Sequence, residues 1–126
     1  MIYLYNISEQ TVAAAAPIEF TTVGVTKGYP IVQATDTTIN LNCPGIYEVT
    51  FYGTAAAAGN IQLYLNGEGV PGAISEGTNL VFTVLVRINP NCCAITTNLP
   101  GRLQVINTGD AALTLNNVGI TVVKVG

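Results

Sequence analysis

Short runs rich in Val, Ile, Thr, Tyr and Leu recur along the whole chain, and Gly, Pro, Asn and Asp separate them. Runs of this kind predict β-strands bounded by turns. No segment has the apolar stripe of 3.6-residue period and the capping residues that indicate a helix. The alanine runs Ala13–Ala16 and Ala55–Ala58 are each about one turn long, and isolated helices that short do not hold. The sequence therefore predicts an all-β fold.

The pattern predicts eleven strands, with turn signals between strands at Asn66-Gly67 and Thr108-Gly109-Asp110. The predicted strands are Ile2–Tyr5, Ile18–Val25, Ile31–Ala34, Thr38–Leu41, Ile46–Thr54, Ile61–Asn66, Ala73–Ser75, Leu80–Asn89, Arg102–Asn107, Ala112–Leu115 and Gly119–Val125. Many short, regularly spaced strands are typical of a β-sandwich. The 126 residues contain no linker or internal repeat, so residues 1–126 are predicted to form a single domain.

Two of the predicted strands are apolar on both faces. Leu80–Asn89 has one wholly apolar face, and its reverse still carries Val81 and Leu85. The last strand likewise places Val123 and Val125 opposite a second pair of apolar residues. A sandwich strand needs only one apolar face, so the other must be covered by loops of the same chain or by a neighbouring subunit. We interpret it as a subunit contact.

The composition supports this interpretation. Apolar residues make up 49% of the chain, but only 9% of its residues are charged, against about a quarter in ordinary globular proteins. A small domain has a large surface to cover, and here Thr, Asn and Gly supply most of the polar cover. This indicates surface buried against copies of the same chain. A neutral-surfaced extracellular monomer is the alternative.

Charge and hydropathy exclude two classes of partner. The net charge is −3, and the basic residues Lys27, Arg87, Arg102 and Lys124 are isolated from one another, so a nucleic-acid partner is not expected. No apolar run approaches the roughly 20 residues that cross a bilayer, so no membrane insertion is expected. The amino-terminal residues lack the features of a signal peptide. We expect either export by another route or assembly in the cytoplasm followed by release on lysis.

The chain has three cysteines, Cys43 and the adjacent pair Cys92 and Cys93. An odd number cannot pair fully within one chain, and adjacent cysteines bridge each other only with strain. We interpret them as buried free thiols that pack as small apolar groups. A disulfide from Cys43 to one of the pair, or between chains, remains open. A zinc site is disfavoured because histidine is absent and a fourth ligand is missing.

The sequence carries no convincing catalytic or cofactor motif. Without histidine there is no Ser-His or Cys-His couple, and the seven carboxylates form no recognisable acid–base pair. The segment "GEGVPG" fits G-x-G-x-x-G, but Pro71 and the residues after it begin no helix, so a hairpin turn is the better interpretation. Asp36 and Asp110 could contribute to a calcium site, but turn formation explains them. We predict no enzyme activity, no cofactor and no metal.

The stretch "PGIYEVTFYG" resembles the Gly-x-Tyr-x-Phe-x-Phe pattern of the complement globular-head and tumour necrosis factor (TNF) superfamily. Gly45, Tyr47 and Phe51 match this pattern, and Val49 stands where the superfamily has Phe. The likeness continues in order through "IQLYLNGEGV", "LVFTVLVRINP", "GRLQVIN" and "ALTLNNVGITVVKVG", which are similar to later strands of such domains. These segments lie within residues 44–126.

The resemblance implies a ten-strand, TNF-like jelly-roll β-sandwich that forms a compact homotrimer and has no catalytic activity. Together with the doubly apolar strands, it predicts a trimer interface that contains Tyr3, Tyr47, Phe51, Val81, Leu85, Val123 and Val125. No collagen-like or coiled-coil stalk precedes the domain. We therefore expect a free-standing trimer, a virion decoration or a separately encoded tip.

The whole chain also resembles a group of small proteins of gut Firmicutes and their phages. The likeness rests on the start "YLYNISEQTVAAAAPIEFTTVG", on Cys92–Cys93 and on a "VxNTG" element at Val105–Gly109. The leading hypothesis is a structural or receptor-binding protein of a bacteriophage virion, as a capsid decoration, head-fibre tip or tail-fibre tip. Other virion or surface proteins are then expected partners.

Two alternatives remain open. One is a coat or fibre-tip protein of the bacterial cell or spore surface. The other is a soluble carbohydrate-binding module that binds a cell-surface glycan, because jelly rolls include lectins and Tyr29, Tyr52 or Tyr64 could stack on a sugar ring. Ordinary packing would also explain each of these tyrosines.

Overall fold

The computed structural model describes residues 1–88 and 101–126, and within these ranges the chain is all-β, as predicted. The strands are β1 (Ile2–Asn6), β2 (Gln10–Val12), β3 (Thr22–Thr26), β4 (Ile31–Thr35), β5 (Thr38–Leu41), β6 (Gly45–Leu65), β7 (Glu68–Ile88), β8 (Gly101–Asn107) and β9 (Leu113–Lys124). The described residues do not include Cys92 and Cys93, nor Asn89 at the end of the predicted strand Leu80–Asn89.

In residues 1–88 and 101–126, nine strands replace the eleven predicted because three pairs of predicted strands are continuous. β6 and β7 each join two predicted strands, and β9 joins the last two. Ala55–Ala58 lies inside β6, where the pairing register with β7 shifts between Thr54 and Gly59. Ala55–Ala58, which lie between two predicted strands, therefore form a bulge within one long strand. β2 was not predicted, and the predicted strand Ile18–Val25 is replaced by a shorter one, Thr22–Thr26.

The long strands β6 and β7 divide the sheet into two halves. Residues 45–55 of β6 pair with residues 79–88 of β7 and with β9, which continues to β1 and β3. This is the first half. Residues 59–65 of β6 pair with residues 68–77 of β7 and with β8, which continues to β5 and β4. This is the second half, and the sheet as a whole is nearly closed on itself.

The apolar core lies between the two halves. Residues of both halves alternate between buried and exposed positions, and the buried ones form one continuous cluster. Phe51 stacks on Phe82 with ring centroids 5.5 Å apart and meets Phe20 edge to face at 6.2 Å. Side chains alternate along the segment 46–52 of β6: Tyr47 and Phe51 point into the core, and Glu48 points out.

Both predicted turns are present. Asn66 and Gly67 have φ values of 53° and 83°, the positive pair required by a type I′ hairpin turn between β6 and β7. Gly109, in the turn between β8 and β9, donates its N–H to Asn107 Oδ1 at 3.0 Å. The "GEGVPG" segment runs from the first of these turns into β7, as the hairpin interpretation predicted.

Candidate functional site

The first half of the sheet turns an exposed surface away from the core, here called the outer face. Its members come from β1, β6, β7 and β9, which pairing register sets side by side, and from Val125 directly after β9, whose N–H donates to the Ile46 carbonyl oxygen. They are Tyr3, Tyr5, Ile46, Glu48, Thr50, Tyr52, Val81, Thr83, Leu85, Arg87, Thr121, Val123 and Val125. Threonine, tyrosine and aliphatic residues dominate this surface, and Glu48 and Arg87 are its charged members.

Three tyrosines form a cluster on the outer face. Tyr3 and Tyr5 stack with ring centroids 5.5 Å apart, and the hydroxyls of Tyr3 and Tyr52 are 2.9 Å from each other. A Cβ atom at Gly119 would overlap the Tyr52 ring, and one at Gly24 would overlap the Tyr3 ring. The glycines thus leave room for both rings close to the neighbouring backbone. The hydrogen bond with Tyr52, aided by desolvation, raises the pKa of Tyr3 above its usual value.

Aliphatic side chains extend the cluster along β7 and β9. Val81, Leu85 and Val125 expose 58%, 60% and 54% of their surface. Glu48 of β6 lies between Leu85 and Val123 in the pairing register. Isolated exposed apolar residues are ordinary, but a contiguous group of this kind marks an interaction surface.

Five of the seven residues predicted for the trimer interface share this outer face. They are Tyr3, Val81, Leu85, Val123 and Val125. Tyr47 and Phe51 were wrongly included, because both are fully buried in the core of their own chain. The Tyr47 hydroxyl donates to the carbonyl oxygen of Cys43. Sequence reasoning missed Tyr5 as an interface candidate and assigned Tyr52 only to sugar stacking, although strand alternation places Tyr52 opposite Tyr47.

The tyrosines considered for sugar binding are far apart in the fold. Tyr29 is 71% exposed in the connection between β3 and β4, and Tyr52 belongs to the outer face. Tyr64 is half-buried on the second half of the sheet, beside its register partner Gln104. Among the residues with described positions, no three His, Cys, Asp or Glu side chains come together as a metal site would require.

Tyr64 of β6 and Gln104, Ile106 and Asn107 of β8 line a groove of about 650 Å³, whose other walls are loops. The groove is also lined by Ala14, Ala15, Thr108 and Asp110. The buried Asn107 holds these loops together: its Nδ2 donates to the carbonyl oxygens of Val12 and Ala111, both at 3.0 Å. The "VxNTG" element therefore connects the end of β8 to the neighbouring loops through the Asn107 side chain.

No protein-family model matches the chain, and no curated protein matches its sequence. The fold is similar to that of the solved structure of PRD1 vertex protein P5, with a TM-score of 0.65 and 14% sequence identity. The match covers 99% of this chain and 96% of the other. At this identity the likeness shows a shared fold. In the two described ranges, no helix has the length and apolarity to span a membrane.

Proposed function

We propose that this protein is a non-enzymatic structural protein of a bacteriophage virion, which acts at an exposed tip or vertex and contacts a host receptor. The observation that carries the proposal is the extent of the fold likeness to PRD1 vertex protein P5, which takes in nearly the whole of both chains. A likeness confined to a few strands would fit any β-sandwich. A match over nearly the whole of both chains supports the same architecture in both proteins, and with it a place in the same kind of particle, a phage virion.

We further propose that three copies assemble through their outer faces. A stable protein–protein interface buries about 1,200–2,000 Å² in total, and burying one Val or Leu side chain contributes about 1.5–3 kcal/mol. Val81, Leu85 and Val125 contribute exposed aliphatic side chains to this face. The tyrosine cluster adds large rings with few rotatable bonds, a combination that is enriched in interfaces.

Glu48 is the one outer-face carboxylate, and burying it requires a cationic partner. Arg87 lies one row away on the same face, since it pairs with Ile46 while Glu48 pairs with Leu85. In a trimer, Arg87 of a neighbouring chain can neutralise Glu48. The pair would also select the relative rotation of the chains, because other rotations leave both charges unpaired.

The experiment has two parts. Light scattering on the purified chain should give a mass of three times 13.1 kDa. Immunogold electron microscopy, with antibodies against the chain, should label phage particles released from a culture that carries its gene. Label at vertices or fibre tips supports the proposal. Label confined to cell envelopes or spores would contradict the virion assignment, and a monomer at micromolar concentration would contradict the trimer.

A further inference from the structure

From the geometry of the second half of the sheet, we infer that the groove between Tyr64 and the Thr108–Asp110 turn binds a neutral oligosaccharide. This inference deepens the receptor-binding part of the proposed function by naming the class of receptor. It rests on residues outside the outer face, so it can be tested separately from the trimer.

The floor of the groove combines an aromatic ring with a fixed amide. Tyr64 on β6 and Gln104 on β8 are register partners and so stand side by side on one face. Gln104 Nε2 donates to Thr38 Oγ1 at 3.1 Å, which orients its amide plane. A pyranose ring has an apolar C–H face and a rim of hydroxyl groups. An aromatic face beside a planar amide matches both features.

The walls are held in position before any ligand binds. Ala15 has a φ of 65°, a left-handed conformation that costs a non-glycine residue about 1 kcal/mol or more. Its N–H donates to the carbonyl oxygen of Asn107 at 2.8 Å. The Asn107 side chain also accepts the Gly109 N–H at 3.0 Å, so one buried residue fixes both loops. A strained wall fixed in this way is typical of a binding site.

Size and charge indicate the class of ligand. The volume of about 650 Å³ lies within the range of about 300–1,000 Å³ that small-molecule sites occupy. From Gln104 to Asn107 the groove follows β8 for roughly 10 Å, at about 3.3 Å per residue, which is longer than one sugar ring. Asp110 is the charged group on its rim, and the described lining contains no Lys or Arg. A carboxylate accepts hydrogen bonds from sugar hydroxyls and repels acidic sugars, so a neutral chain is favoured.

The test begins with the intact chain on an array that displays both neutral and acidic bacterial-surface oligosaccharides. The neutral trisaccharide with the strongest signal is then titrated into ¹⁵N-labelled protein. We expect amide shift changes at Gln104, Thr108 and Gly109. Tyr64→Ala should weaken binding about tenfold or more, as for the loss of a central aromatic contact. Tyr64→Phe should bind within about threefold of the unaltered chain, because the ring face remains.

Two further variants separate binding from folding. Asp110→Ala changes an exposed turn residue and should weaken binding without lowering the Tm. Tyr29→Ala removes an exposed tyrosine outside the groove and should leave binding unchanged. The inference is overturned if the array shows no neutral ligand, if acidic glycans bind better, or if Tyr29→Ala weakens binding as much as Tyr64→Ala.

Light scattering on the same samples distinguishes this inference from the proposed function. A trimer that binds no neutral glycan contradicts the saccharide site alone. A monomer that binds a neutral trisaccharide through Tyr64 contradicts the proposed trimer and leaves the saccharide site standing.

Discussion

The hydroxyl of Tyr3 on β1 lies 2.9 Å from the hydroxyl of Tyr52 on β6, so the two side chains meet across the intervening strand β9. The contact is possible because Gly119 of β9 leaves room for the Tyr52 ring. One hydroxyl donates to the other, and both rings stay partly exposed on the outer face. The strand order β1-β9-β6 therefore brings these two tyrosines together on the outer face.

The first prediction concerns the pKa of Tyr3. Its hydrogen bond with Tyr52 is the main reason that this pKa is raised, so Tyr52→Phe should move it down toward the ordinary value of about 10. NMR of ¹³Cζ-labelled tyrosine would follow the titration. The Leu85→Asp background would remove any effect of assembly. Tyr5→Phe is the control, because Tyr5 stacks on Tyr3 and leaves the hydrogen bond in place. An unchanged Tyr3 pKa in Tyr52→Phe would contradict this contact.

The second prediction concerns assembly. Leu85→Asp and Val123→Asp each place a carboxylate on the outer face beside Glu48, so either should convert the proposed trimer to monomers. A buried unpaired charge costs several kcal/mol, which exceeds the contribution of one apolar contact. Sedimentation velocity at micromolar concentration measures the outcome.

Val32→Asp is the matched control for these two variants. Val32 is an exposed strand valine on β4, in the second half of the sheet, and its replacement should leave the trimer intact. Circular dichroism should show the same strand content in all three variants. If Leu85→Asp and Val123→Asp remained trimeric, another surface would have to form the interface.

Alternation predicted which residues of β6 share a face, but not which face turns inward. Both faces of 46–52 carry an aromatic residue, so apolar character alone could not separate Tyr47 from Tyr52. The choice is made by Phe20 and Phe82, which pack on Phe51 from elsewhere in the chain. Tertiary contacts of this kind are invisible to a local pattern.

Strand boundaries were the other weak point of the sequence prediction. The prediction ends one strand at Thr54 and begins the next at Ile61. Gly59, in this gap, instead continues β6, and a Cβ atom there would overlap the Leu113 side chain. Glycine therefore marks a close approach of β9 rather than a turn. The short strand β2 was missed because its pairing partners, Leu113–Leu115, follow about a hundred residues later in the chain.

The sequence pointed to separate parts of the candidate groove but not to the groove itself. Tyr64 was singled out for its chemistry, and the "VxNTG" element for its resemblance. Their proximity depends on the pairing of β6 with β8, and the groove wall depends on the bond from Ala15 to Asn107. Because these partners are distant in sequence, no local spacing indicated a shared site.

The third prediction concerns Asn107. It is buried, its Nδ2 donates to two loop carbonyls at 3.0 Å, and its Oδ1 accepts the Gly109 N–H. Asn107→Ala leaves these groups unpaired, and each unpaired buried group costs about 1–3 kcal/mol, so we expect a loss of about 2–4 kcal/mol in the free energy of unfolding. Asn116→Ala, at an exposed position of β9, should change it by less than about 0.5 kcal/mol. Urea unfolding compares the two. Equal effects would show that Asn107 does not hold the loops.

The fourth prediction concerns the cysteines. Cys43 is half-buried and forms no disulfide within the described residues. If all three thiols only pack, a Cys43→Ser, Cys92→Ser, Cys93→Ser triple variant should still fold, with a Tm lowered by a few degrees. Thermal unfolding with and without reductant measures this. Failure of the variant to fold, or a large Tm loss on adding reductant to the unaltered chain, would favour a structural disulfide.

The fifth prediction concerns alkaline stability and Tyr47. Burial raises the pKa of Tyr47, and its hydroxyl donates to the Cys43 carbonyl oxygen, a bond that only the neutral phenol can make. The fold thus favours the neutral phenol. Its contribution to stability is complete below the unfolded pKa of about 10 and is lost as the pH rises through the folded value.

Tyr47→Phe should lower the free energy of unfolding at pH 7 by about 0.5–1.5 kcal/mol, because one hydrogen bond is lost. Above pH 10 it should lose less additional stability than the unaltered chain, because no phenol at this position can ionise. Tyr29→Phe, at an exposed position, should follow the unaltered chain at every pH. Urea titrations from pH 7 to 11 give the three curves, and titration of the remaining groups cancels in their differences. Parallel curves for Tyr47→Phe and the unaltered chain would mean that ionisation of this buried phenol does not limit the fold at high pH.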